Sequence, residues 1–239
     1  MIVEFLLIGF ILFFAAFAQG MTGFGFAMFS LSLLSFLMDI NQAVPLAAMC
    51  GLVINLYLIS RLKTHLDFTQ IKNLIIGAVI GIPVGTYVLS IASPQVLKIL
   101  LGIVILFFIF LSVAKFIKQT GINKKWGYLF GFLSGILGGA LNTDGPPVLI
   151  YFYLQGFDKL KQKASITGFF IFTSIMVVTT HAVTGVTTRP IFMNFLTHLP
   201  FVIVGLLLGN YCFYKISGGF YNKIILGFLF ILSLFMIFG

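Results

Sequence analysis

Charged side chains are scarce in this sequence. Asp, Glu, Lys and Arg make up 8% of its 239 residues, whereas soluble domains contain about 25%. Apolar residues reach 60%, and a water-soluble protein of this composition would precipitate. The chain is therefore predicted to lie in a membrane. At about 20 residues for each spanning helix, it has room for seven or eight apolar elements and for no separate soluble domain.

The sequence has no cysteine pattern and no phosphate-binding loop that would hold a cofactor. Cys50 and Cys212 lie in apolar segments without the spacing of a metal site, and no segment resembles a nucleotide-binding loop. No cofactor or metal is predicted, and ATP-driven transport would need another chain. The net charge of +9 indicates basic cytoplasmic loops on a membrane chain rather than a nucleic-acid surface. The expected partners are the lipid bilayer and a small anionic substrate, with a homodimer left open.

Two glycine-rich breaks interrupt the apolar segments. The first is residues 19–26 (QGMTGFGF), and the second is residues 142–147 (NTDGPP). In hydrocarbon every backbone N–H and C=O needs a partner, so such a break persists only where it lines a cavity or is buried in protein. Broken helices of this kind are typical of transporter binding sites. The alternative is a spanning helix kinked by proline.

Both breaks resemble the signatures of a known family. Residues 135–140 (GILGGA) together with the second break are similar to the second signature of the TauE/SafE sulfite exporters, and the first break is similar to their first signature. The resemblance covers the whole chain. It implies a multi-pass transporter of the cell inner membrane that moves sulfite, a sulfonate or a related carboxylate, usually outward. Many members carry Gly, Thr or Ser where this chain has Asp144.

The two halves of the chain follow one plan, in which a broken element precedes three apolar runs. Shifting the sequence by 122 residues superposes the breaks and places Thr22 on Asp144. This offset favours a duplication and predicts two transmembrane repeats, residues 1–120 and 121–239. The apolar elements are 2–38, 43–60, 73–91 and 96–114, then 126–156, 164–186, 190–213 and 219–238.

The basic residues indicate how the repeats cross the membrane. If both broken elements are re-entrant hairpins, twelve of the 14 basic residues lie inside, and only Lys98 and Arg189 lie outside. If all eight elements span the membrane, only eight of the basic residues lie inside. The first pattern predicts an all-α polytopic membrane protein of two inverted repeats, each a re-entrant helical hairpin followed by three transmembrane helices. The alternative stays open, because the 18 residues of the first arm reach roughly 27 Å and nearly cross a bilayer core.

In the hairpin arrangement the two tips meet near the bilayer midplane. The second arm of each hairpin begins there, and helix N-termini attract anions. Glycines at the tips would let the backbone approach a ligand, although Gly135, Gly138 and Gly139 could instead form a helix-packing face. The predicted substrate-binding residues are Gln19, Gly20, Thr22, Gly23, Phe24, Gly25, Asn142, Thr143, Asp144, Gly145 and Pro146.

Two titratable residues are candidates for proton coupling. Asp144 is the acid predicted deep in an apolar region, where a charged side chain costs about 2.5 kcal/mol or more. It could carry a proton, coordinate a cation or cap the helix that follows. His181 could relay a proton, and the alternative is a buried histidine bonded to a neighbouring Thr or carbonyl group.

Three classes of function account for this pattern. The preferred one is a secondary transporter, an exporter of a small anion. An intramembrane enzyme would use Ser134, but the sequence Gly131-Phe-Leu-Ser134-Gly135 has two residues between Gly and Ser where the rhomboid protease loop has one. An accessory membrane subunit would not need two matched breaks with polar tips. The chain is therefore predicted not to be an enzyme.

Overall fold

The computed structural model describes residues 2–62, 68–113, 121–155, 159–213, 229–231, 233–234 and 236–238, and these ranges contain helices and no strand. The predicted last run, 219–238, lies largely outside them. In chain order the helices are α1 (Ile2–Thr22), α2 (Phe26–Leu34), α3 (Ile40–Leu62), α4 (Phe68–Ile91), α5 (Pro94–Val113), α6 (Trp126–Leu141), α7 (Gly145–Gln155), α8 (Lys159–Val183) and α9 (Arg189–Phe213).

Five of the described helices, α1, α3, α4, α8 and α9, are long and apolar enough to cross a membrane. Their outer faces carry large apolar side chains, and Phe10, Ile80 and Val204 are half exposed or more. Exposed apolar surface of this extent marks contact with lipid. α3 lies at the centre of the bundle, since 67% of the residues in its apolar 18-residue segment are buried, compared with 28% in the corresponding segment of α9. The prediction of an all-α polytopic membrane protein is confirmed.

Glycine faces bring two pairs of helices into backbone contact. A Cβ atom added at Gly77, Gly81 or Gly85 of α4 would lie 2.1–2.2 Å from carbonyl oxygens of α6. A Cβ added at Gly205 or Gly209 of α9 would lie 2.2 and 2.1 Å from carbonyl oxygens of α1. No side chain fits at these distances, and small residues are the usual means of close helix packing in membranes. Since successive contacts advance in the same direction along both partners, α4 runs parallel to α6, and α9 runs parallel to α1.

The predicted small-residue face of α6 divides between two roles. A Cβ atom at Gly135 or Gly139 would lie 2.7 and 2.3 Å from carbonyl oxygens of α4, so these glycines pack helices. Gly138 faces the break instead, where an added Cβ would lie 3.1 Å from the Cβ atom of Asp144. The absence of a side chain at Gly138 therefore leaves room for the acid.

Helices α6 and α7 lie antiparallel, as the two arms of a hairpin. Just before α6 begins, the Gly121 N–H donates to the carbonyl oxygen of Leu154 (3.0 Å), near the end of α7. The Phe130 and Tyr151 rings are 5.9 Å apart. The chain thus returns at the end of α7 to the level at which α6 started. In the first half, α2 packs against α1 and α3.

The two breaks match at an offset different from the one that residue identity suggests. Each contains a left-handed residue, Gly23 (φ 85°) and Asn142 (φ 51°), and these are 119 positions apart. The helix ends on both sides of the breaks share this offset. The shift of 122 instead matches residue identity, since it aligns Gly23 with Gly145. At the shift of 119, the position of Asp144 matches Gly25 and not Thr22.

Candidate functional site

The two breaks meet at a cavity of about 30 Å³. Besides the breaks, its walls include Gly51 and Asn55 of α3 and Phe170 and Ser174 of α8. These wall residues stand 11 and 15 positions after the first residue of their respective helices. Because α3 and α8 have 23 and 25 residues, the cavity lies midway along two membrane-length helices.

The first break presents a helix N-terminus to the cavity. The first N–H groups of a helix have no partner within it, and in α2 the N–H of Phe26 donates to the Gln19 side-chain oxygen Oε1 (3.2 Å). Ala27 and Met28 follow in the same first turn and also line the cavity. The Gln19 amide nitrogen in turn donates to Asn55 Oδ1 (2.8 Å). This break therefore offers backbone donors and no charged side chain.

The second break presents an acid instead of a row of donors. Asp144 stands directly before α7, at the position of an N-cap. A cap accepts from the N–H groups of the second and third helical residues, which here are Pro146 and Pro147 and have no N–H. Asp144 therefore cannot act as a conventional cap. Its carboxylate accepts a hydrogen bond from the Thr173 hydroxyl of α8.

Asp144 has no cationic partner within the described part of the chain. Ser134 donates to its backbone carbonyl oxygen, and its carboxylate accepts hydrogen bonds from the Thr173 hydroxyl and from its own backbone N–H. The carboxyl group is partly buried and faces the cavity. An acid held by neutral donors in this way can gain or lose a proton without breaking an ion pair.

Thr143 supplies a polar group with no protein partner. Its side chain is 2% exposed, its hydroxyl oxygen has no hydrogen bond among the described residues, and it lines the cavity. A buried polar group without a partner costs free energy. A ligand or water in the cavity would supply the missing hydrogen bond.

The structure brings six of the predicted binding residues to the cavity wall: Gln19, Gly25, Asn142, Thr143, Asp144 and Gly145. The other five lie in the breaks but do not line the cavity.

The residues of the first break that do not line the cavity support the shape of the break. Gly20 packs against α9, where an added Cβ would lie 2.8 Å from the carbonyl oxygen of Leu206. The Thr22 hydroxyl lies within hydrogen-bond distance of the backbone carbonyl oxygens of Ala18 in α1 and Phe24 in the break, to which it donates. Gly23 makes the left-handed turn, and Phe24 packs against the Phe108 ring at 5.5 Å.

Pro146 and His181 also lie off the wall. Pro146 is buried in the first turn of α7. His181, on α8, is fully buried, and its Nε2 is 2.9 Å from the carbonyl oxygen of Gly139, so this nitrogen donates. Its Nδ1 has no partner within the described ranges. The bond to Gly139 is of the kind that the sequence-based alternative for His181 anticipated.

Sequence reasoning missed the walls contributed by α3 and α8. Asn55 of α3 joins Gln19 to Ser174. Gly51, Phe170 and Ser174 carry no signal in the sequence, because a single Gly, Phe or Ser is ordinary within a membrane helix.

The site offers no metal centre and no activated serine in the described ranges. No group of three His, Cys, Asp or Glu side chains there could hold a metal ion. Ser134 is fully buried, and its hydroxyl donates to a backbone carbonyl oxygen instead of a histidine. This arrangement does not provide the base that a serine nucleophile needs.

Residues 8–236 match the family profile described as "Sulfite exporter TauE/SafE". A curated relative, the "Probable sulfite/organosulfonate exporter TauE" of Cupriavidus necator, is 26% identical over 202 residues, which cover 80% of this chain and 77% of the relative. No solved structure matches significantly. The family consists of multi-pass membrane transporters, not enzymes, and this chain belongs to the TauE/SafE sulfite exporter family.

Proposed function

We propose that the protein is a secondary transporter that exports sulfite or an organosulfonate, and that the anion binds in the cavity between the two helix breaks. The observation that carries this proposal is the meeting of both breaks at one polar cavity midway along α3 and α8. The printed name of the Cupriavidus necator relative supports the substrate class.

The two ends of the cavity have different chemistry. At the first break, the N-terminus of α2 directs backbone donors and the positive end of the helix dipole toward the cavity, which favours an anion. At the second break, Pro146 and Pro147 remove donors and Asp144 faces the cavity. The anion accordingly binds at the α2 end, and Asp144 takes up a proton so that two negative charges do not face each other.

The cavity must widen for transport. A cavity needs roughly 10–15 Å³ of this volume to hold one water molecule, so about 30 Å³ holds about two. Sulfite has three oxygen atoms and a sulfur atom, and it requires some separation of the breaks. The glycine contacts hold α1 to α9 and α6 to α4, so the short helices α2 and α7 are the parts that move.

The packing supports two inverted repeats, residues 1–120 and 121–239. The contact of α1 with α9 has its counterpart in the contact of α6 with α4, and both pairs are parallel. Asn55 of α3 bonds Ser174 of α8, and the two residues occupy equivalent positions in their helices. A two-fold relation between the halves accounts for both facts. The antiparallel arms of the α6–α7 hairpin favour inversion, because a re-entrant hairpin leaves an odd number of spanning helices, three, in each repeat. With the basic linker inside, this hairpin is re-entrant from the cytoplasmic side.

Labelling of single cysteines tests this topology. In a background with Cys50 and Cys212 replaced by Ala, Arg189→Cys should react with a membrane-impermeant maleimide from outside only, because the inverted arrangement places the start of α9 there. Lys124→Cys, before α6, is the matched control and should react from the cytoplasmic side only. Reaction of position 189 from the cytoplasmic side would support the arrangement in which every element spans.

Counterflow in reconstituted vesicles tests the function. Vesicles that contain the protein and unlabelled sulfite should accumulate external radiolabelled sulfite transiently above its equilibrium level, because a secondary transporter exchanges internal for external substrate. A parallel series with sulfoacetate represents the organosulfonates. Uptake no faster than in protein-free vesicles for both compounds would exclude this substrate class.

A further inference from the structure

We infer that the Ser174 hydroxyl is a substrate-binding hydrogen-bond donor whose direction is fixed by a chain of side-chain amides, and that it selects oxyanions. This inference rests on the proposed function, because it names a further residue of the same anion site. Four groups in α1, α2, α3 and α8 form the chain, and each bond determines the direction of the next.

A backbone N–H sets the direction of the first two bonds. The N–H of Phe26 can only donate, so the Gln19 atom that it meets at 3.2 Å is the oxygen, Oε1. The other end of the Gln19 amide is then the NH₂ group. It donates to Asn55 at 2.8 Å, so the Asn55 atom at this contact is the oxygen, Oδ1.

The same reasoning carries the direction to α8. With its oxygen occupied by Gln19, Asn55 presents its NH₂ group to Ser174, and Nδ2 donates to Ser174 Oγ at 2.8 Å. Ser174 therefore accepts at this contact, and its own hydrogen remains to be donated elsewhere. Among the described residues it forms no hydrogen bond to an acceptor. Ser174 is 6% exposed and lines the cavity, so the hydrogen is available to a ligand there.

A donor with this fixed direction recognises an acceptor atom. The alternative role for a serine hydroxyl, accepting from a ligand N–H or coordinating a cation, is disfavoured because Asn55 already uses one of the two lone pairs of Oγ, whereas the hydroxyl hydrogen has no acceptor among the described residues. The Thr143 hydroxyl and the first turn of α2 face the same cavity from other sides. Several donors around one small space suit a ligand with several acceptor oxygens on one centre, as in sulfite or a sulfonate group.

Sulfite exchange by reconstituted Ser174→Ala measures the contribution of this donor. A hydrogen bond to a charged acceptor is lost, so the KM for sulfite should rise roughly 10- to 100-fold, while the maximal exchange rate stays near that of the wild type. Ser165→Ala is the matched control, because Ser165 is a buried serine of the same helix that does not line the cavity. Its KM should equal that of the wild type.

A second pair of variants separates hydrogen-bond donation by the Ser174 hydroxyl from the packing of its side chain. Ser174→Thr keeps the hydroxyl and should restore a KM well below that of Ser174→Ala. Ser174→Cys keeps the shape but donates weakly, so its KM should be intermediate, and it provides the test if Ser174→Ala does not fold. If the wild type exchanges sulfite and both Ser174→Ala and Ser174→Cys have the wild-type KM, the role of Ser174 is overturned and the proposed function stands. Absence of exchange in the wild type would overturn the proposed function and this inference together.

Discussion

Asp144→Asn is expected to abolish accumulation of sulfite driven by a pH gradient and to leave sulfite exchange in place. Asn has nearly the same shape as Asp and can still accept a hydrogen bond from Thr173, but it cannot carry a proton. A capping role would predict no effect, since Asn and Asp cap about equally well. That role is excluded by geometry, because both following positions that would donate are prolines.

The measurement uses reconstituted vesicles with an imposed pH step. Wild-type vesicles should accumulate sulfite above equilibrium, whereas Asp144→Asn vesicles should only equilibrate it, at a rate set by exchange. Asp39→Asn is the matched control, because Asp39 is an exposed acid between α2 and α3. Gradient-driven accumulation at the wild-type level in Asp144→Asn would remove Asp144 from the coupling mechanism.

His181→Gln extends this experiment to the second proton candidate. His181 lies about two helical turns after Thr173 in α8, and its Nδ1 lacks a partner among the described residues. We propose that it passes protons between Asp144 and the end of α8. Slower driven accumulation with unchanged exchange would support the relay, and unchanged accumulation would leave His181 with a structural role.

The helices and the breaks could be predicted from the sequence because their causes are local. Apolar runs of about 20 residues fix the spanning helices. The second break has Asn142, which ends α6 in the left-handed conformation, and two prolines that suit only the first turn of α7. The polar tip with Asp144 is visible in the sequence for the same reason.

The exact composition of the cavity wall could not be predicted, because it depends on packing between distant helices. Glycine serves a tight turn and a close helix contact equally well, so the sequence alone does not separate Gly25 on the wall from Gly20 against α9. Gly51 and Ser174 reach the wall only because α3 and α8 cross there. Their positions follow from the tertiary structure and from no local pattern.

Gly51→Leu is expected to eliminate anion binding without unfolding the protein. Gly51 lies within α3, where Leu is favoured over Gly by up to about 1 kcal/mol. A Cβ atom added there would lie 3.5 Å from Asn142 Nδ2, an ordinary contact, so Gly51→Ala fits. The three further carbon atoms of Leu would extend into a cavity of only about 30 Å³ and leave no space for the anion.

Isothermal titration of sulfite and sulfoacetate into the purified wild type, Gly51→Ala and Gly51→Leu tests whether this cavity is the anion site. We expect saturable binding of at least one of these anions to the wild type and to Gly51→Ala, and no binding of it to Gly51→Leu. Binding to Gly51→Leu with the Kd of the wild type would contradict the assignment of the anion site to the cavity between the two breaks.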